Sequence, residues 1–236
     1  VQHTLAGFSL GDIMKISNDT LNVLKNFAGI NSNIVVKPGN ILRTLSASRN
    51  IFAEAKVAET FDCEFGIYDL NKFLATISLF KDPEFTFHEK HVSISSTSSN
   101  AKINYFYSDS SLLTNPPKNF NMPAHQIEFN LNTKDFNELL RASAVLQAPD
   151  LAIVGNEGSI DLRVSDKRDD TSHQYAVNVG DNKNNINCVA YLKTENLKLI
   201  AGDYSVRVSN KNISEFSNNN SNIRYWISLE LDSRWN

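Results

Sequence analysis

The 236-residue chain reads as an α+β protein of two domains, each a doubled strand–helix–three-strand unit. Three observations predict this. Amphipathic helix patterns recur four times, each between one short alternating strand and three more. A proline-punctuated stretch parts the second and third of these patterns. Apolar residues make up 41% of the chain and charged residues 21%, the balance of a protein that buries a core.

In order, a strand at 14–16 leads into a helix at 17–28, then strands near 33–37, 41–46 and 51–57. A strand at 61–67 leads into a helix at 69–80, then strands near 84–88, 91–96 and 102–107. The strands rest on alternation such as Cys63, Phe65, Ile67 and Ile103, Tyr105, Tyr107. Turns fall at Lys37-Pro38-Gly39-Asn40 and Asp82-Pro83. The order then repeats: strand 126–131, helix 134–146, strands near 151–155, 159–165 and 174–179. A strand at 186–192, a short helix at 194–200 and strands near 203–209, 213–216 and 223–231 complete it.

Residues 14–107 are therefore expected to form one domain and 124–236 the other. Between them, 108–123 carries Asn115-Pro116-Pro117 and Met122-Pro123, an extended, proline-stiffened linker. Residues 1–13 lack the basic start and apolar stretch of a secretory signal. They are expected to lie upstream of the fold and take no part in it.

On a 100° wheel each helix has one apolar arc and one thin polar arc. Val23, Leu24 and Phe27 oppose Lys25, Asn18 and Asn22 in the first. Leu70, Phe73 and Ile77 oppose Lys72, Asn71 and Ala75 in the second. In the third, Phe136, Leu139 and Leu140 point inward, and Lys134 and Arg141 align outside. Lys198 and the flanking Lys193 mark the polar side of the fourth. Ser17, Asp69 and Thr133 stand where N-caps or first-turn residues belong.

Several function classes are excluded or disfavoured. No apolar run reaches the roughly 18–20 residues that cross a bilayer as a helix. A net charge of −3 argues against a uniformly basic nucleic-acid coat but permits a basic patch. Cys63 and Cys188 are too few for a disulfide framework; both are expected to be buried thiols in a reducing compartment. No metal or cofactor is expected: the histidines, His88 and His91 included, lack zinc-ligand spacing, and no glycine-rich phosphate loop is present. Catalysis is accordingly not expected. Asn18, Asn212 and Asn219 head Asn-x-Ser/Thr triplets, which arise by chance among 30 asparagines and are expected to stay unmodified.

Longer stretches carry a resemblance. Met14-Lys15-Ile16-Ser17-Asn18-Asp19-Thr20 with Leu24 to Ser32, then Ala53-Glu54-Ala55 and Ile67 to Leu74, resemble the DNA polymerase sliding clamps of T-even-type bacteriophages. So do Asp135-Phe136 with Leu139 to Ser143, Ala201 to Tyr204, and Leu229 to Ser233. The third helix departs from the family pattern at Ala144, where a second arginine is usual, and Leu45 to Asn50 is rewritten. The resemblance implies the DNA-clamp fold: three identical two-domain subunits joined head to tail in a ring, with strands outside and helices lining the central channel.

It further implies a homotrimer that encircles duplex DNA without reading sequence, tethers the replicative DNA polymerase and is loaded by a clamp-loader ATPase. In some relatives it also activates late viral transcription. The expected location is the cytoplasm of the infected bacterial host. Channel candidates are Lys25, Lys72, Lys134, Arg141, Lys193 and Lys198. A pocket for a partner's tail is expected around Leu112, Leu113, Tyr225 and Ile227, with Tyr225 and Ile227 reading at least as well as ordinary core. Strands around 102–107 and 213–216 are expected to pair between subunits. The alternative weighed against this is a β-rich virion or carbohydrate-binding protein, which leaves the repeated helices unexplained.

Overall fold

The computed structural model of the chain describes residues 11–98 and 100–236. The described residues divide into two compact units between Pro117 and Lys118. In the first unit the order is β1 (Ile13–Met14), α1 (Asn18–Ile30), β2 (Ile34–Val36), β3 (Gly39–Leu45) and β4 (Ile51–Phe61). The order then repeats as β5 (Phe65–Ile67), α2 (Leu70–Ile77), β6 (Glu84–Phe87), β7 (His91–Ser95) and β8 (Lys102–Phe106).

Strands β1, β6, β7 and β8 make one antiparallel sheet in that spatial order. Hairpin β3–β4 and the pair β2–β5 supply the rest of the unit. Alternation along β4 buries Ala53, Ala55 and Val57, and α1 packs on β3 and β4 with Leu24 and Phe27 inward. The two helices of the unit also pack on each other. Phe61, Phe65 and Phe87 form an aromatic cluster with centroids 5.2–5.9 Å apart, and Tyr107 stacks on Phe65 at 5.2 Å. Contacts of this kind add about 0.5–1.5 kcal/mol each beyond their burial.

Helix starts follow the sequence closely. Ser17 caps α1, its hydroxyl accepting from the Thr20 N–H, and Asp69 caps α2 by accepting from the Lys72 N–H at 2.9 Å. Glu59 reaches from β4 to the first turn of α1, accepting from the Ser17 N–H at 2.5 Å and from the Thr20 hydroxyl. Burial pushes the Glu59 carboxyl up, but the Thr20 and Ser17 bonds outweigh it and leave it below the usual range. Helix α2 stops three residues short of its expected end. There Leu79 and Phe80 make i→i−3 bonds, and Asp82 at positive φ precedes Pro83.

In the second unit β9 (Ile127–Leu131), α3 (Thr133–Leu146), β10 (Asp150–Asn156), β11 (Ser159–Ser165) and β12 (Tyr175–Gly180) repeat the pattern. Then come β13 (Cys188–Lys193), β14 (Tyr204–Ser209), β15 (Ile213–Asn218), β16 (Ile223–Ser228) and β17 (Arg234–Trp235). One sheet runs β12-β11-β10-β13-β17, and β16, β15, β14 and β9 are antiparallel neighbours in that order. Helix α3 packs across β11 and β12. Asn132 caps it, and its first N–H and the Thr133 hydroxyl both donate to Asp203, which those bonds hold below the usual carboxylate range.

Four expectations change. The fourth helix, expected at 194–200, is a single 3₁₀ turn at Thr194–Asn196. Ile200 donates its N–H to the Tyr225 hydroxyl at 3.2 Å, and its carbonyl accepts from the Tyr204 hydroxyl. Backbone groups that a helix needs are thereby committed to two buried tyrosines. Strand β15 lies between β14 and β16, so residues 213–216 present no sheet edge; β12 does. The first sheet begins at Ile13, one residue before the expected domain start, and Gly11 donates its N–H to Phe87; residues 1–10 lie outside the described residues. The linker's first part is folded: Ser108 bridges to Gly66, Ser110–Leu112 forms a 3₁₀ turn, and Leu113 is buried.

Candidate nucleic-acid interface

Each α-helix exposes a narrow row at helical spacing. On α1 the row is Asn18, Asn22, Lys25 and Gly29; on α2 it is Lys72, Ala75 and, just past the end, Leu79; on α3 it is Lys134, Asn137, Arg141 and Ala144. One or two cations stand in each row among uncharged side chains, most of them short. Among the described residues, Lys25, Lys72 and Arg141 enter no ion pair, whereas Lys134 lies 4.0 Å from Glu138.

Three acids at the caps and flanks of these helices are occupied, while Asp19 in the first turn of α1 is exposed. Asp69 is an N-cap, Asp135 accepts from the Asn132 side-chain amide at 2.7 Å, and Glu138 accepts from the Tyr175 hydroxyl at 3.1 Å. That last bond, with burial and the charge of Glu138, pushes the Tyr175 phenol up. The exposed rows consequently offer a weak, sparse positive potential and no array of bidentate donors, which suits phosphate attraction without base readout.

The two remaining cations differ. Lys198 is exposed beside the 3₁₀ turn. Lys193 is held by Asp150 at 2.5 Å, and Asp150 is 1% exposed, so its charge is neutralised within the second unit. Nothing in the sequence marks this pair, because the partners are 43 residues apart. Lys167 joins the same region, 2.7 Å from Asp232 and 4.7 Å over the Tyr191 ring.

Of the four residues expected at a partner pocket, three are buried within their own unit. Tyr225 and Ile227 are completely buried core of the second unit, with Tyr225 accepting from the Ile200 N–H. Leu113 is buried in the first unit against Gly66, and Leu112 is 81% exposed. Cys63 is half-buried rather than buried, Cys188 is buried, and burial pushes both thiols up. Among the described residues no three His, Cys, Asp or Glu side chains cluster as a metal site, and no helix is long and apolar enough to cross a membrane.

Comparison with known proteins gives a consistent answer. A family model described as DNA polymerase processivity factor matches residues 17–114, and one described as gp45 sliding clamp, C terminal, matches residues 128–231. The sliding clamp of Vibrio phage KVP40 is 31% identical over 222 residues, covering 92% of this chain and 99% of that protein. The sliding clamp of Enterobacteria phage T4 is 30% identical over 228 residues, covering 93% and 98%.

Solved structures of similar fold include A. fulgidus PCNA, determined with the C-terminal region of FEN-1 bound, at TM-score 0.69 and 10% identity over 94% of this chain and 98% of that one. The DNA polymerase III β chain of Streptococcus pneumoniae aligns at TM-score 0.63 and 10% identity, over 98% of this chain and 67% of that one. Those two establish the clamp fold; the phage relatives establish the family, and the virion or carbohydrate-binding alternative falls away. This chain is a member of the bacteriophage sliding-clamp family of DNA polymerase processivity factors.

Proposed function

We propose that three copies of this chain close head to tail into a ring around duplex DNA and tether the replicative polymerase to it. The ring works in the cytoplasm of the infected bacterium, is opened and closed by a clamp-loader ATPase, and acts mechanically rather than as a catalyst. The observation that carries this reading is the pattern of the helix rows. They are thin and sparsely cationic, and Asp69, Asp135 and Glu138 beside them are engaged. Bidentate arginine–guanine contacts worth about 1–3 kcal/mol each would create sticking points along a sequence. Isolated lysines between asparagines and alanines leave room for water and treat all phosphates alike.

In this reading Lys25, Lys72, Lys134, Arg141 and Lys198 face the DNA, and Lys193 serves the fold instead. The subunit boundary forms between β8 and β12, each the last strand of its sheet. An unpaired strand edge is a template for another chain, and heterologous pairing of two different edges generates a closed ring when the rotation per subunit divides a full turn. Ile103, Tyr105 and Phe106 on one edge and Tyr175, Val177 and Val179 on the other supply apolar cover. Leu112 is one of several exposed apolar residues, Val145 and Leu231 among them, available to a partner's tail.

Mass in solution tests this. Sedimentation at tens of micromolar is expected to show three times 26.4 kDa, in exchange with smaller species on dilution. A strictly monomeric protein at that concentration contradicts the reading.

A further inference from the structure

The turn between β6 and β7 stacks two imidazoles. His88 and His91 have ring centroids 4.5 Å apart at an interplanar angle of 27°, and His91 in turn lies 5.4 Å from Phe106 on β8. The strand register puts Glu84, Thr86, His91, Ser93, Lys102, Asn104 and Phe106 on the same outer face of the sheet, and His88 follows at the end of β6. His88 Nε2 is 3.2 Å from the Ser93 hydroxyl, which donates to Asn104 at 2.8 Å. This aromatic column therefore runs to the sheet's free edge, where Phe106 is 68% exposed.

We propose that the His88–His91 stack makes subunit association pH-dependent, the ring closing at neutral pH and loosening as His91 protonates. The proposal rests on the reading above that β8 lies at the subunit boundary. Two neutral rings stack favourably, whereas two imidazolium ions at that separation repel. The charged groups around them are mostly positive or committed. Lys102 lies on the same face, Lys90 and Glu89 sit in the turn, and Glu84 is 3.6 Å from Lys15. On the outer face beside β12 the strand charges are Asp161, which accepts from the Asn178 amide at 2.8 Å, and Arg163, while His173 precedes the strand and Asp181 and Lys183 follow it.

In the single chain the half-buried setting of His91, the neighbouring His88 and Lys102 already hold its pKa below the usual imidazole range. Covering Phe106 with a second chain removes more water from the stack, so the associated form binds fewer protons than the free form. Association then weakens as pH falls through the histidine range, about tenfold at each boundary for every unit by which closure lowers the pKa.

The test is sedimentation velocity across a pH series from about 7.5 to about 5.5, the span that brackets imidazole titration. The wild-type chain is compared with His88→Gln/His91→Phe, which keeps a ring against Phe106 and a polar partner for Ser93. His91→Gln alone is a second variant, and circular dichroism at each pH reports folding. The wild type is expected to shift toward smaller species at low pH while remaining folded, and the double variant to stay associated. An equal pH response in wild type and both folded variants overturns the switch alone. A chain monomeric at every pH overturns the ring and the switch with it.

Discussion

Lys193→Met removes the ammonium facing Asp150 and keeps an unbranched side chain in its place. Asp150 is 1% exposed and Lys193 about a fifth exposed, with 2.5 Å between the charged atoms. At an effective dielectric constant of about 20 their gross attraction is about 6–7 kcal/mol, most of it offset by desolvation of the two ions. Deleting one partner leaves a buried carboxylate, which costs about 3–5 kcal/mol in a fully buried pair. Relief comes from Lys167, whose N–H bonds the second Asp150 oxygen at 3.2 Å and whose ammonium is also drawn to Asp150. With that relief and the partial exposure of Lys193, the expected loss is about 2–3 kcal/mol, or about 5–10 °C in melting temperature. Adding Asp150→Asn should recover most of it. Calorimetry and urea titration measure the loss, and retention on nicked circular DNA at graded salt measures any electrostatic role. Unchanged stability combined with weaker, less salt-sensitive retention would refute the structural assignment and return Lys193 to the channel.

Lys25→Glu with Arg141→Glu should leave the oligomer's mass unchanged while shortening retention on nicked circles, read by gel filtration of preloaded DNA; unchanged retention removes both residues from the bore. Gly66→Ala places a methyl 2.7 Å from both a Leu113 side-chain carbon and the Ser108 carbonyl, so it should lift the start of the linker. About 1–3 kcal/mol of strain is expected, with faster proteolysis between 108 and 117. Glu59 titrates below its unfolded value, so its contribution is present above the unfolded pKa and is lost as pH falls through the folded one. Glu59→Gln should therefore flatten the acid limb of the stability profile, measured by urea midpoints from about pH 6 to about pH 3.

Periodicity and capping made most of the architecture legible. The expected helices at 17–28 and 134–146 fall within two residues of α1 and α3, because Ser17 and Asn132–Thr133 begin them and apolar arcs carry them. What the sequence concealed depends on distant partners. Residues 194–200 have a helical pattern, yet the hydroxyls of Tyr204 and Tyr225 take up the backbone of Ile200. Alternation at 174–179 marks a strand, but nothing local says that β12 ends a sheet while β15 is enclosed within one. Residue type likewise could not separate Lys193, matched to Asp150, from Lys25 and Lys72, which enter no ion pair among the described residues. Tyr225 and Ile227 read as pocket or as core in one dimension, and they are core.

Retention by topology rather than by adhesion is the central claim, and linearisation tests it directly. Rings loaded on a nicked circle at moderate salt should remain through gel filtration, then be lost within the same period once a restriction cut supplies free ends. Equal retention on circular and linear DNA would contradict the account, because a sequence-blind surface contact alone would then be holding the duplex.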